Sequence, residues 1–329
     1  MKVLYAIQGT GNGHLSRARD IVPILQNKVD LDILVSGVQA DVKLPFEIKY
    51  QLKGWSFIFG KKGGVDLWAT CKNSNFHQFR KEINQLDIEQ YDLVINDFEP
   101  LSAWAAKLHK VPCISMSHQA AVNAKESPKP KQRDFLGERI LKHYAPTPSY
   151  VGFHFKKFNK HIYTPVIRGE IRNLQPTVAN HYTVYLPAYG DDKLIAFFRN
   201  FEDTTWQIFS KHTKTSYSAG NIHIAPVNNQ AFLKSFETCK GIICGAGFET
   251  PAEALYLQKK LLVTPMKNQY EQQCNAEALK ELAVPVIKKL NPKAIAVVAK
   301  WLLEEQSLVV NYPDETEAII DGILTNYKQ

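Results

Sequence analysis

The sequence predicts an α/β protein built from two Rossmann-like domains whose parallel sheets face a central cleft. Three observations predict it. The chain has 329 residues, a length that suits two domains of ordinary size. Short apolar runs alternate with amphipathic helical stretches from end to end, the pattern of βαβ units. Each half also carries a glycine-rich turn between a strand candidate and a helix candidate. Strands of a parallel sheet are covered on both faces and read as unbroken aliphatic runs, as Leu93-Val94-Ile95 does. In such sheets ligands bind beyond the carboxyl ends of the strands, so the cleft is where function is sought.

Taken in order, the strand candidates of the first half are Lys2–Gln8, Leu31–Ser36, Tyr91–Asn96 and Pro112–Met116. Those of the second half are Tyr182–Pro187, Gly220–Ile224, Gly241–Cys244 and Leu261–Thr264. Helical periodicity runs through Leu15–Asn27, Leu101–Leu108, Asp192–Phe201 and Thr250–Leu257. The weakly periodic stretch 164–181, with proline and asparagine, reads as the boundary. The domains are then residues 1–165 and 166–312, with a last helix over 313–329 packing back on the first. That helix is predicted by Pro313 followed by Asp314, Glu315 and Glu317 near its positive end.

Composition narrows the function. The 45% hydrophobic and 22% charged content excludes disorder and coiled coil. No apolar run reaches the roughly 18 residues of a spanning helix. The opening apolar stretch is too short for a signal peptide, so a cytoplasmic location is expected. The five cysteines (Cys71, Cys113, Cys239, Cys244, Cys274) lack metal-ligand spacing and read as reduced thiols. Residues 1–165 hold 23 Lys and Arg against 15 Asp and Glu, whereas residues 166–329 hold 17 against 17. The whole net charge of +8 therefore sits in the first half. It suits an anionic partner, such as a membrane surface or a phosphorylated acceptor, or simply a solvated basic face. Nothing resembles a nucleic-acid-binding motif, and no nucleic-acid partner is expected.

The first glycine turn is Gly9-Thr10-Gly11-Asn12-Gly13-His14. Glycines permit close backbone approach, and a helix N-terminus offers unpaired N–H groups to an anion. A dinucleotide fingerprint would need GxGxxG and an acidic residue ending the second strand. Here the second strand candidate ends in Ser36-Gly37, so nicotinamide chemistry fits poorly. The second turn is Cys244-Gly245-Ala246-Gly247-Phe248-Glu249-Thr250-Pro251, with Thr250 and Pro251 as cap and first position of the next helix. Glu253, one turn on, can accept hydrogen bonds from a ribose while the turn holds a diphosphate. A third block, Pro265 to Ala276, places Glu271 and Gln272 at a helix start, where they suit sugar hydroxyls.

The run ICGAGFETPAEAL, then a strand and a proline, then EQQCNA, resembles the donor site of GT-B glycosyltransferases. It is similar to the UDP-glycosyltransferases and to the lipid-linked N-acetylglucosamine transferase of peptidoglycan synthesis. The N-terminal GTGNGHLSRA resembles the glycine-rich loop of the same enzymes. The resemblance implies that Gly245, Gly247 and Thr250 hold the donor diphosphate, with Ala246 and Phe248 of the same turn on the donor side. It implies that Glu253 holds the ribose, and Glu271 with Gln272 the sugar. Where these families have His or Ser before the first glycine, this chain has Cys244, and Phe248 replaces Asn or Leu.

The resemblance further implies that His14 is the base of an inverting transfer and Asp97 its orienter. A carboxylate fixes the imidazole tautomer while the ring takes the acceptor's proton. Glu99 is a reserve for Asp97. Gly11, Asn12, Gly13, Glu99 and His118 are expected on the acceptor side. Asp30-Leu31-Asp32 formally spells a DxD motif but precedes its strand, so it reads as surface charge. Asp191-Asp192 reads as a helix start, and no metal and no cofactor are expected beyond a nucleotide-diphosphate sugar, with UDP first, as co-substrate. The segment Gly54–Gly64, aromatic and then basic, is either an acceptor flap or interfacial patch or a hairpin with core aromatics. Lys125–Lys131 reads as an exposed loop.

The function expected is therefore a metal-independent glycosyltransferase acting on an unnamed acceptor, with lipid-linked or anionic molecules favoured by the basic half. Peripheral contact with a membrane's inner face follows from the same charge. The alternatives are a nucleotide-sugar epimerase of the same fold and a non-catalytic nucleotide-sugar-binding module.

Overall fold

The computed structural model describes residues 1–10, 12–37, 44–53, 59–60, 64–65, 76–132, 134–305 and 308–327. Gly11, Cys71 and most of the Gly54–Gly64 segment lie outside the described residues.

The strands of the first half are β1 (Lys2–Gln8), β2 (Asp30–Ser36), β3 (Tyr50–Leu52), β4 (Phe59–Gly60), β5 (Gly64–Val65), β6 (Leu93–Asp97), β7 (Cys113–Ser117), β8 (Ser149–Phe153) and β9 (Ile162–Tyr163). Apart from the small antiparallel ribbon β4–β5, they form one parallel sheet in the order β3-β2-β1-β6-β7-β8-β9. The second half contributes β10 (Tyr182–Tyr185), β11 (Trp206–Ser210), β12 (Tyr217–Ala219), β13 (Ile222–Pro226), β14 (Gly241–Gly245) and β15 (Lys260–Thr264). Their order is β12-β13-β11-β10-β14-β15, with β12 alone antiparallel. In each sheet the order reverses at one place, between β1 and β6 and between β10 and β14. These switch points open a crevice at the carboxyl edge.

The helices are α1 (Asn12–Gln26), α2 (Phe76–Gln85), α3 (Pro100–His109), α4 (His118–Asn123), α5 (Phe135–His143), α6 (Gly169–Arg172), α7 (Asp191–Phe198), α8 (Asn229–Thr238), α9 (Glu249–Tyr256), α10 (Tyr270–Glu281), α11 (Pro292–Leu303) and α12 (Thr316–Asn326). Helix α1 buries Leu15, Ala18, Ile21, Val22 and Leu25 at helical spacing against the first sheet. Each fully buried Leu, Ile or Val contributes about 1.5–3 kcal/mol. Helix α12 packs on α1, where Lys28 pairs with Glu317 and Asp321, and the Tyr327 hydroxyl meets the Ser149 hydroxyl at 2.7 Å.

Three local expectations are corrected. Helix α1 opens at Asn12 rather than near Leu15, so Gly13 and His14 lie in its first turn. Helix α9 opens at Glu249, because Phe248 at its N-cap already has helical dihedrals. Pro251 is therefore its third residue, tolerated because first-turn N–H groups have no partner within the helix. The last helix starts at Thr316 rather than beside Pro313, where the Asp314 side chain accepts from the Thr316 amide. The loop over 125–131 is mostly exposed, but Lys129 ties it down through the Val122 carbonyl.

Candidate active site

At the first switch point, β1 delivers His14 through the start of α1, and β6 ends in Asp97. The imidazole Nδ1 lies 2.8 Å from Asp97 Oδ1. Asp97 is fully buried and also accepts at 2.7 Å on each oxygen from Nη2 of Arg17, one turn beyond His14 on α1. Burial disfavours the Asp97 carboxylate, but Arg17 and His14 outweigh it and hold its pKa below the usual value. Burial lowers the His14 pKa, yet Asp97 more than compensates and the net shift is upward, tempered by Arg17. With the Nδ1 proton on Asp97, the Nε2 lone pair is left for a substrate proton. After Asp97 the chain reverses through Phe98, a bulky residue at φ 57°, whose ring lies parallel to His14 at 6.5 Å between centroids. Such a conformation costs about 1–3 kcal/mol and concentrates at functional sites.

The second half closes on this pair. Glu249, the first residue of α9, takes Arg17 Nη1 at 2.5 Å and fills the space a side chain at Gly13 would need. Gln119 Nε2 stands 3.3 Å from His14 Nε2 and donates to Glu271 Oε2 at 3.0 Å. One amide group thus spans from the His14 ring to the α10 carboxylate, while its buried Oε1 has no partner. Beside it His118 bonds the Phe153 carbonyl and Asn275 Oδ1, both at 2.8 Å, and Asn275 Nδ2 donates to the Ala246 carbonyl. The Phe248 ring stacks on His118 at 3.8 Å. The contact joins the two halves behind the site.

At the second switch point, residues of the glycine turn alternate. Ala246 and Phe248 are buried, and the Phe248 ring packs on His118 and Phe155 of the first half. Gly245 and Gly247 line a cavity of about 780 Å³ with Thr250 and Gln272. A Cβ at Gly247 would meet nothing within 4 Å, so the fold does not need glycine there, and the space lies open to a ligand. Gln272 Oε1 accepts from the Met266 amide at 2.9 Å, which fixes the loop after β15.

A second cavity, about 400 Å³, lies on the other side of Thr250 and Tyr185. Asn12 and Gly13 line it together with Thr250 and Glu253, so these two residues face the second half's glycine turn and helix α9. Glu253 is 3% exposed and is gripped by Arg168, Nε to Oε1 at 2.6 Å and Nη2 to Oε2 at 3.1 Å. Burial raises its pKa and Arg168 opposes that. Glu99 is corrected outright. Fully buried, it caps α3 by accepting from Leu101 and Ser102 amides and from the Ser36 hydroxyl, and both oxygens are spent. His118 is likewise enclosed at 1% exposure and serves the interface rather than an acceptor.

The sequence matches glycosyl transferase family 1 over residues 1–303. The chain belongs to that family. A glycosyltransferase of Phytolacca americana, UGT2 in complex with UDP-2-fluoro-glucose and pterostilbene, is similar in structure at a TM-score of 0.61 and 12% identity, covering 100% of both chains. Acinetobacter baumannii MurG is similar at 0.56 and 14%, covering 98% of this chain and 99% of its own. A UDP-N-acetylglucosamine 2-epimerase is similar at 0.56 and 13%, covering 99% and 96%. No curated protein matches in sequence. The architecture is thus the GT-B fold of two Rossmann-like domains.

The sequence of this glycosyltransferase places Gln119 with His118 at the cleft edge after the strand Pro112–Met116, but it does not single out Arg17, Asn275 or Arg168. Arg17 had a signal in principle, since it repeats the His14 face one turn on. The others become visible only when the halves meet. Among the described residues no group of three or more His, Cys, Asp or Glu is placed to hold a metal ion. Asp32 is paired with Lys49 and Tyr91, and Asp191 with the Ser210 and Tyr217 hydroxyls. The four described cysteines are buried free thiols. No described helix is long and apolar enough to cross a membrane.

Proposed function

We propose that this glycosyltransferase moves a sugar from a nucleotide diphosphate, with UDP as the nucleotide, onto an acceptor hydroxyl with inversion and without a metal. The observation that carries the reading is the continuous contact His14–Gln119–Glu271, which brings the His14–Asp97 pair of the first switch point against a carboxylate of the second half. The nucleoside occupies the cavity beside Glu253, Tyr185 and Phe232, with the ribose sharing Glu253 with Arg168. The diphosphate lies over Gly247 and Thr250 at the start of α9, where first-turn N–H groups face an anion.

The acceptor hydroxyl replaces Gln119 at His14 Nε2. Its proton passes to Nε2 as its oxygen bonds the anomeric carbon, and the bond to the diphosphate breaks with its electron pair leaving on UDP. Asp97 stabilises the imidazolium formed. The basic first half suits a lipid-linked or anionic acceptor presented at a membrane surface. The epimerase among the similar structures keeps a second reading alive, in which UDP leaves and returns without an acceptor. Free UDP released only when an acceptor is added supports transfer. Interconversion of the donor sugar without acceptor supports the epimerase, and tight UDP binding with neither outcome supports a binding module.

A further inference from the structure

The 780 Å³ cavity carries a charge the sequence does not advertise. Lys193 from the first turn of α7, Lys267 after β15, and Lys288 with Lys289 all line it, and no Asp or Glu does. The half of the chain that supplies these four lysines has zero net charge, yet this one concave place holds four cations and no acid. Topology explains the gathering. The strand-like pairing of Val286 with Val263, and the Ile287 amide on the Val263 carbonyl at 3.0 Å, carry Lys288-Lys289 to the carboxyl edge of β15. Lys267 leaves the same edge. Lys193 lies over the Tyr189 ring at 4.8 Å. None of the four has a carboxylate partner among the described residues.

A second, independent observation points to a missing ligand. Thr264 ends β15, is 2% exposed and lines this cavity, and its hydroxyl has no hydrogen-bond partner. A buried polar group left unpaired costs about 1–3 kcal/mol, so a polar ligand group in this cavity that bonds the Thr264 hydroxyl is favoured.

A donor diphosphate does not use up this charge. It brings two negative charges, and the amides of Gly247 and Thr250 already face it. Hydroxyls of a neutral sugar are matched by side chains that both donate and accept. Ammonium groups only donate, and they match a group that only accepts. We propose that this cavity takes the sugar end of the donor and that the sugar carries a carboxylate: the substrate class is a nucleotide-linked uronic acid or similar acidic sugar. The inference rests on the donor-site reading above and narrows it. Concave walls of one sign focus the field, so the preference weakens as salt rises.

The test is calorimetric titration of the full chain with UDP, UDP-glucose and UDP-glucuronate, the last two differing only at C6. The same titrations are run on the Lys288→Gln/Lys289→Gln double variant. UDP-glucuronate is expected to bind about tenfold more tightly than UDP-glucose at low salt, about 1.4 kcal/mol. The ratio should fall toward one in the double variant. Equal affinities for the two sugars in the wild type, with UDP itself binding, overturn the acidic-sugar assignment and leave the donor site standing. A preference that survives in the double variant also overturns it. Failure of UDP to bind at all overturns the donor site and this inference with it. If inorganic phosphate binds the UDP-saturated protein through Lys288 and Lys289 while the sugars bind equally, the anion belongs to the acceptor and the assignment is wrong.

Discussion

Replacing Asp97 by Asn tests the site at its most constrained atom. Asp97 Oδ1 accepts from both His14 and Arg17, and Oδ2 accepts again from Arg17, with no exposure to solvent. An asparagine can present one oxygen only. Its amide must then face either the His14 Nδ1 proton or an Arg17 donor already 2.7 Å away. Breaking one partner of a buried ion pair costs about 3–5 kcal/mol, because the surviving charge is stranded. Glu249 still holds the far side of the guanidinium, which favours the lower end of that range. Urea unfolding of Asp97→Asn should therefore show a loss of roughly 3 kcal/mol. Arg17→Met combined with Asp97→Asn should lose less than the two single changes added together, since neither buried charge of that pair is left facing a vacant partner. Turnover should fall by roughly 10²–10⁴, as for loss of the base itself, because the stranded Arg17 charge suppresses His14 basicity. Stability within about 0.5 kcal/mol of the wild type would refute the buried network, since that is the range of an ordinary surface change.

Gly247→Val should leave the unfolding midpoint near wild type, because a Cβ there meets nothing within 4 Å, while UDP affinity measured by calorimetry drops at least tenfold. His14 carries a raised pKa, so its contribution to stability is complete below the ordinary histidine value of about 6.5 and is lost as pH rises through the higher folded value. The stability gap between wild type and His14→Asn, from urea curves, should thus be larger at pH 5.5 than at pH 8.5. Co-sedimentation with liposomes should rise with anionic lipid and fall with salt if the basic first half meets a membrane; equal binding to neutral liposomes leaves only a solvated basic face.

The fold was legible wherever one segment could speak for itself. β1, β2 and β6 carry short apolar runs buried on both faces, and the glycine turns mark both switch points. β11 was missed although it is central, because Trp206 and Gln207 leave only Ile208-Phe209 as an aliphatic run. The short edge strands β3, β9 and β12 carry too few residues for a pattern. His14 and Asp97 could be read from position, since each ends or follows a strand at the same sheet edge. Glu99 could not, because a carboxylate two residues past a strand looks alike whether it faces a cleft or caps a helix. Only the amides of Leu101 and Ser102 decide that. Gln119 could be placed at the cleft edge beside His118, but its bridge from His14 to Glu271 and the role of Asn275 exist only between the two halves. The cavity lysines are scattered over nearly a hundred positions and average out against acids elsewhere.

The most direct measurement is turnover of His14→Ala with a neutral hydroxyl acceptor, alongside its affinity for UDP. His14 lines neither cavity, and its Nε2 faces the acceptor position through Gln119. Turnover should fall by roughly 10²–10⁴ while UDP affinity stays near wild type. Near-normal turnover would contradict the dyad, and a large loss of UDP binding would reassign His14 to the donor diphosphate.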